Sequence, residues 1–448
     1  MEHAFRTAGN TAGPTPLHNN RDALFRRSNA RLHEKRVNLL LTVIFFICLW
    51  RSTGVWYGYP ADFDESSGQG TLPMKVLLYS LVPLIGLYVF MDLRNVAAAF
   101  LRMPVLVFLT TACCLLSVLV SIDPAGSIRG LLAAGLITAG TLSYRLKFGT
   151  LKTMETLAAF FVILALANVA YTVLFPQYAV MRGSYAGMVK GMHYHKNGLG
   201  QTTAIGLIFV LNFWKMGFDL RYRSIIGMFA VVCSIALILL ARSSTAVVLA
   251  MIGYGGVFFL RHIQNIKAPL ARLSIFVMTL FTLAALSTVY MFIAEAIAAA
   301  FDKDVTLSGR SGIWEQLLPL IGERPLLGYG FAMFRDPDVI ATYVNATWTV
   351  RSVHNSYLEL ALNIGIVGAT CFVGFILIRL ATKFIKVVSD SGLRRAQAVE
   401  IIVITLVMMG AFTEAGRFMA PIDAWALIVA MLPLTMKTLR EKSNLTSI

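Results

Sequence analysis

Charge is what this chain has least of. Only 14% of its 448 residues are Asp, Glu, Lys or Arg, where soluble domains carry about 25%. With 57% hydrophobic residues, a mean hydropathy of +0.71 and apolar runs recurring along the whole length, this excludes a soluble domain on a single anchor. It predicts a polytopic membrane protein. Acidic residues are the scarcer sign, 23 against 39 basic. A net charge of +16 would suit nucleic acid in a soluble protein; here asymmetry across a bilayer explains it, and no nucleic-acid partner is expected. The five cysteines (Cys48, Cys113, Cys114, Cys233, Cys371) all lie in apolar runs, which excludes a disulfide framework and a cysteine-based metal motif. The first 36 residues are polar and basic, with no small-residue cleavage site after an early apolar stretch, so no signal peptide is expected there. No fixed-period repeat runs through the chain, and beyond a polar N-terminus expected to be disordered there is no low-complexity segment.

The apolar runs predict twelve spans: 37–55, 76–92, 104–121, 130–144, 153–175, 202–217, 224–240, 245–260, 273–299, 358–379, 398–414 and 421–436. With the N-terminus inside, 26 of the 39 basic residues fall in the inner segments 1–36, 93–103, 145–152, 215–223, 261–272, 379–397 and 437–448. Every inner segment is basic, as positive-inside asymmetry requires, and an odd number of spans breaks the alternation. The expected fold is therefore all-α, a polytopic bundle of about 12 transmembrane helices with both ends in the cytoplasm. It divides into a basic tail (1–36), a bundle (37–299), a long, partly helical outer loop (300–357), C-terminal helices (358–436) and a short tail (437–448). A second long outer loop, 176–201, interrupts the bundle. Long loops among short ones are where function concentrates.

Of seven histidines, three (His193, His195, His354) fall in these two outer loops, which points to one outward-facing site. "SVHNSYLELALNIG" (352–365) reads as a polar mouth on a helix. Ser356-x-x-Glu359 matches a capping box, so neither residue needs a chemical role. His354 and Asn355 precede that cap. Beside a helix start the imidazole is held neutral, which suits a general base; the other reading is a surface histidine. Asn355 either orients that ring or belongs to the cap. In "LSGRSGIWEQLLPLIGERPLLGYGF" (307–331), Arg310 stands at a helix start with Trp314 one turn in. A guanidinium beside free helix amides holds a diphosphate well; a solvated arginine is the alternative. "GMHYHKNGLGQ" (191–201) offers His193-x-His195 as metal ligands with His354 as a third, but Lys196 beside the pair and the lack of any carboxylate in 176–201 argue against a cation, and no metal site or cofactor is expected. Arg182, Lys190 and Lys196 make that loop purely positive, suited to an anionic partner. A lipid diphosphate fits such a site, its chain between spans and its phosphates at the outer interface.

"GRSGIWEQLLPLIGERPLLGYGF" followed by "VHNSYLELALNIGIVG" resembles the signature of the O-antigen ligase and polymerase superfamily. "HYHKNGLG" resembles an element of its exopolysaccharide branch, the succinoglycan-polymerase-like proteins. The resemblance covers about 180 to 380. It implies a bacterial inner-membrane glycosyltransferase acting at the periplasmic face on an undecaprenyl-diphosphate-linked oligosaccharide and a glycan acceptor. Its partner proteins would be a flippase and a chain-length regulator. It implies metal-independent, inverting transfer, with His354 as base and Arg310 on the departing diphosphate. Arg182, His195, Lys196, Asn197, Arg242, Trp314 and Asn355 are the expected substrate-binding residues. Relatives carry a basic residue directly before Thr at the eighth span; "ARSSTAVV" has Ser244 there and Arg242 two residues earlier. Two alternatives stand beside a polymerase. One is a ligase moving glycan to lipid A-core. The other is a transporter or flippase, against which the lack of repeated halves with matching broken helices argues.

Overall fold

The computed structural model describes residues 16–55, 72–101, 103–217, 223–263, 265–275, 278, 310–345, 350, 352–389, 395–412, 418–419 and 425–431. Its regular elements are helices: α1 Pro16–Ser52, α2 Leu72–Met91, α3 Leu93–Leu101, α4 Val105–Leu119, α5 Pro124–Leu174, α6 Pro176–Ala179, α7 Lys196–Gly217, α8 Arg223–Leu240, α9 Ser244–Ile263, α10 Arg310–Glu323, α11 Pro337–Tyr343, α12 Ser356–Ser389, α13 Arg395–Gly410 and α14 Trp425–Met431. Extended pairing among the described residues is confined to two isolated bridges, Val55 with His193 and Val180 with Val189. α5, α9 and α12 contain stretches long and apolar enough to cross a membrane, while α2, α4, α8 and α13 supply shorter apolar helices. Large apolar side chains such as Leu39, Phe90, Val105, Leu119 and Phe258 are exposed on the outside of the bundle. In a bilayer that surface needs no cover, because lipid is as apolar as the side chains. The expected span 273–299, all but four residues, and most of 421–436 lie outside the described residues.

Three expectations are corrected. The polar N-terminus is helical from Pro16 and continuous with the first span. The inner segment 93–103 is largely the short helix α3. α7 begins at Lys196, six residues before the expected span, so the loop 176–201 ends inside a helix.

Two long helices are each two pieces. At about 1.5 Å per residue, the 51 residues of α5 would run about 76 Å, far beyond a roughly 30 Å hydrocarbon core. The run breaks at Gly149 (φ 74°). The Tyr144 and Thr156 hydroxyls are then 2.8 Å apart, where an unbroken helix would separate them by about 18 Å along its axis. The chain therefore reverses at Gly149, and the two legs cover the stretches 130–144 and 153–175. α12 breaks at Gly365 (φ 76°), into a half-helix, 356–364, and a longer leg from Ile366 to Ser389. The expected span 358–379 thus crosses the break, and the longer leg runs ten residues past 379. The break is locked by close contact: a Cβ on Gly365 would lie 2.2 Å from the Leu326 carbonyl oxygen, and one on Gly328 (φ 64°) 2.3 Å from that of Leu362. Only glycine, with no Cβ, satisfies both the left-handed backbone and the crossing.

Candidate active site

The segment from α10 to the half-helix has its own apolar core, separate from that of the bundle. Ile313, Leu317 and Leu320 of α10 pack with Tyr329, Phe334, Ile340, Val353, Leu358 and Leu362. The Gly-rich turn after α10 is stitched to the half-helix by backbone bonds where α12 opens: Tyr329 N to Leu362 O (2.8 Å), Gly330 N to Asn363 O (3.2 Å) and Ile366 N to Pro325 O (2.8 Å). Asn363 Oδ1 accepts from Phe334 N (2.8 Å). Irregular backbone at this depth is tolerated because protein groups satisfy it. On its other side the turn meets the α4–α5 connection, Ile122 N donating to Tyr329 O (3.1 Å).

His354 stands at the head of the half-helix. Its φ is 54°, a left-handed conformation rare for a residue with a Cβ and characteristic of functional turns. Its amide donates to Ser352 Oγ (3.1 Å). Nδ1 is buried in the protein, and the residue as a whole is half-buried. The helix cap is Asn355: its Oδ1 accepts from Tyr357 N (3.0 Å) and Leu358 N (3.1 Å), satisfying two of the orphan amides of the first turn. This overturns the Ser356–Glu359 capping box. Ser356 is buried, its amide given to Ala411 O (2.8 Å). Glu359 accepts instead from Arg335 Nε, 2.5 Å away.

Trp314 ties α10 to the turn before the half-helix. Its Nε1 donates to Val353 O (2.9 Å), one residue before His354. Arg310, the first residue of α10, lies four residues before Trp314 and so on the same helix face. Arg310 is half-buried.

Other expected residues meet at the starts of α7 and α9. Lys196 is nine-tenths buried. Its ammonium donates to Arg242 O (3.1 Å) and stands 5.4 Å above the Tyr185 ring, a cation–π contact. No ion pair with a carboxylate holds it among the described residues. Arg242 is exposed, with φ 47°, in the turn before α9. His195 Nδ1 accepts from Asn197 N (3.2 Å), so the ring caps α7 and a neutral imidazole there carries its proton on Nε2. Gly200 lets the two helix starts touch, since a Cβ there would lie 2.8 Å from that of Ala246. Two helix N-termini and two cations meet here, a setting for an anion. Arg182 stands apart, exposed at the tip of the turn closed by Met181 N to Met188 O (2.9 Å). His193 is buried, bridged to Val55 and bonded to the Thr53 backbone; burial pushes its pKa down to about 4. It ties the loop to α1, while His195 caps α7.

Comparison with known proteins places these groups. Residues 229–373 match the family model described as O-antigen ligase. That stretch is similar to the O-antigen ligase family. It holds Arg242, Arg310, Trp314, His354 and Asn355, while Arg182, His195, Lys196 and Asn197 precede it. The chain is also 24% identical, over 212 residues, to the exopolysaccharide production protein ExoQ of Rhizobium meliloti (strain 1021); the match covers 44% of this chain and 47% of that protein. The chain thus spans about half the length of the curated relative it matches. The resemblance read from the motifs agrees with both matches. Within the O-antigen ligase region, sequence reasoning missed Arg335. It sits in "FRDP", with no helical spacing to connect it to a partner 24 residues on.

Proposed function

We propose that the chain is a membrane glycosyltransferase of the polymerase type, joining repeat units carried on undecaprenyl diphosphate at the periplasmic face of the inner membrane, without a metal ion. The observation that carries this reading is the Trp314–Val353 hydrogen bond, which holds the start of the helix that begins at Arg310 beside the turn bearing His354. In the proposed step the acceptor hydroxyl gives its proton to His354 Nε2 as its oxygen bonds the anomeric carbon. The bond from that carbon to the diphosphate breaks, and its electron pair leaves with undecaprenyl diphosphate. Arg310 stabilises the charge that develops, and Lys196 and Arg242 hold the phosphates. Attack opposite the leaving group inverts the configuration. The name of the ExoQ relative, exopolysaccharide production, favours the polymer-forming reading.

The test is transfer by the purified protein in lipid, supplied with lipid-linked repeat units. His354→Ala should lower turnover by about 10²–10⁴-fold and Arg310→Ala by about 10²–10³-fold, both proteins remaining folded, and a chelator should change nothing. Near-normal turnover in His354→Ala would sink the base assignment. The O-antigen ligase family match favours a second reading, transfer of finished glycan to lipid A-core. A deletion strain separates them. Loss of long surface polymer with single units still attached marks a polymerase; intact polymer stranded on undecaprenyl diphosphate marks a ligase. Movement of lipid-linked glycan across vesicles without sugar transfer would reassign the chain to the transporters.

A further inference from the structure

The half-helix headed by His354 is separated from the span that follows. With α12 broken at Gly365, its orientation is not inherited from the transmembrane leg; contacts along its sides must set it. Backbone bonds to the Gly-rich turn fix its far end, at Leu362 and Asn363. Near its head, Ser356 N binds Ala411 O and the Tyr357 hydroxyl donates to Met408 O (2.8 Å). Between them, one turn from His354, sits Glu359, with its side chain 2% exposed.

Arg335 holds that carboxylate. Its Nε binds Glu359 Oε1, while its other guanidinium nitrogens reach Phe418 O (2.8 Å) and Met419 O (3.3 Å). One planar side chain thereby joins three segments: the turn after α10, the half-helix, and the connection between α13 and α14. A guanidinium fork suits this and a lysine does not, because the donors point in fixed, divergent directions. Among the described residues, three of the four non-glycine residues with positive φ lie on these segments. Ala332 (φ 66°) precedes the short turn that carries Arg335, Met419 (φ 53°) gives it a carbonyl, and His354 (φ 54°) heads the half-helix. Strained backbone persists only where surrounding contacts over-determine it, and Arg335 supplies contacts to two of these segments and, through Glu359, to the third.

We infer that Arg335 and Glu359 are positioning residues for His354: the pair sets the half-helix so that the imidazole meets the acceptor hydroxyl, and neither touches substrate. This rests on the proposed function, in which His354 is the base. A base that drifts from hydrogen-bonding reach loses turnover and leaves donor binding alone. Glu359 is buried and Arg335 is partly so, with side chains 2% and 19% exposed and their charges matched, so Arg335 is not a spare cation for the diphosphate.

The test measures kcat and KM for the lipid-linked donor in Arg335→Gln, Glu359→Gln, the double variant and Arg335→Lys. Each Gln variant should lose at least 30-fold in kcat with KM changed less than threefold. The double variant should be no worse than either single, since both break one pair, and Arg335→Lys should recover little. A KM rise of tenfold or more with kcat retained would overturn the inference by placing Arg335 on the substrate. Full kcat would overturn it by making the pair structural alone. Additive losses would overturn the coupling. If a variant fails to accumulate, hydrogen exchange in the conservative Glu359→Asp decides: faster exchange at amides 356–360, with kcat reduced, supports the inference, and unchanged exchange overturns it. Wild-type transfer and its loss in His354→Ala are measured alongside. If wild type has no transfer activity, the proposed function fails; if His354→Ala dies and Arg335→Gln does not, only this inference fails.

Discussion

Single residues here carry roles that a motif alone does not distinguish. His193 and His195 form one short pattern in "HYHKNGLG", yet one ring is buried against α1 and the other caps α7. Spacing shows that both exist; it does not show which faces the protein interior, because that depends on where α1 ends, 140 residues earlier in the chain. The burial of His193 gives a pH prediction. Its pKa falls from an ordinary 6.5 to about 4 because the interior disfavours the imidazolium. Above pH 6.5 the ring is neutral in both folded and unfolded chains. As pH falls from 6.5 to 4 the unfolded chain takes up a proton that the folded one refuses, so stability is lost across that window and no further below it. By pH 5 the loss is about 2 kcal/mol. Melting in detergent should therefore fall more steeply between pH 7 and 5 for wild type than for His193→Gln, which does not titrate; parallel curves would mean that the ring protonates freely in the folded protein.

Among elements, the breaks and the ties across them were the least legible part. The reversal at Gly149 was readable because basic residues flank it on both sides, and positive-inside asymmetry needs a turn there. The break at Gly365 was not, since "NIGIVG" continues an apolar run and glycine is common within membrane helices. Its cause lies 37 residues earlier, at Gly328. The inner end shows the same limit. In the sequence Arg145 and Lys383 count only towards the charge of the inner segments 145–152 and 379–397, and Glu400 falls inside the expected span 398–414 with no role read for it. The structure makes them one cluster: Arg145 binds Glu400 at 3.1 Å and Ala430 O at 2.9 Å, and Lys383 binds the other Glu400 oxygen. Four helices, α5, α12, α13 and α14, meet there. Glu400→Gln leaves two cations facing each other with the side chain of Arg145 only 5% exposed. Breaking a buried pair costs about 3–5 kcal/mol, and the partial exposure of Lys383 puts the expected loss at the lower end. Replacing both deeply buried members, Arg145→Met with Glu400→Leu, should be milder, since the one charge left, Lys383, is partly exposed. Thermal melting of the two variants checks this, and a Glu400→Gln protein as stable as wild type would show that the cluster holds nothing together.

The whole molecule has two chemically different ends, and their separation ties the fold to the proposed chemistry. One end collects the Gly149 reversal, Arg145, Lys383 and Glu400, with basic segments beside them. The other collects the lobe with His354, the Gly-rich turn, and the starts of α7 and α9 with Lys196 and Arg242. Lys196 and Arg242 lie at the end opposite to Arg145 and Lys383, and in the proposed function an anion at the outer interface accounts for them. The proposed function therefore predicts sidedness. Single cysteines placed in a cysteine-free background should report it with a membrane-impermeant maleimide. Gly187→Cys, in the exposed turn before α7, and Asp338→Cys, at the start of α11, should label in intact spheroplasts. Lys152→Cys, beside the Gly149 reversal, should label only after the membrane is opened. The reverse pattern would put His354 on the cytoplasmic side, where a periplasmic transfer reaction has no substrate. Labelling of all three from one side would instead break the alternation of spans on which the twelve-helix reading rests.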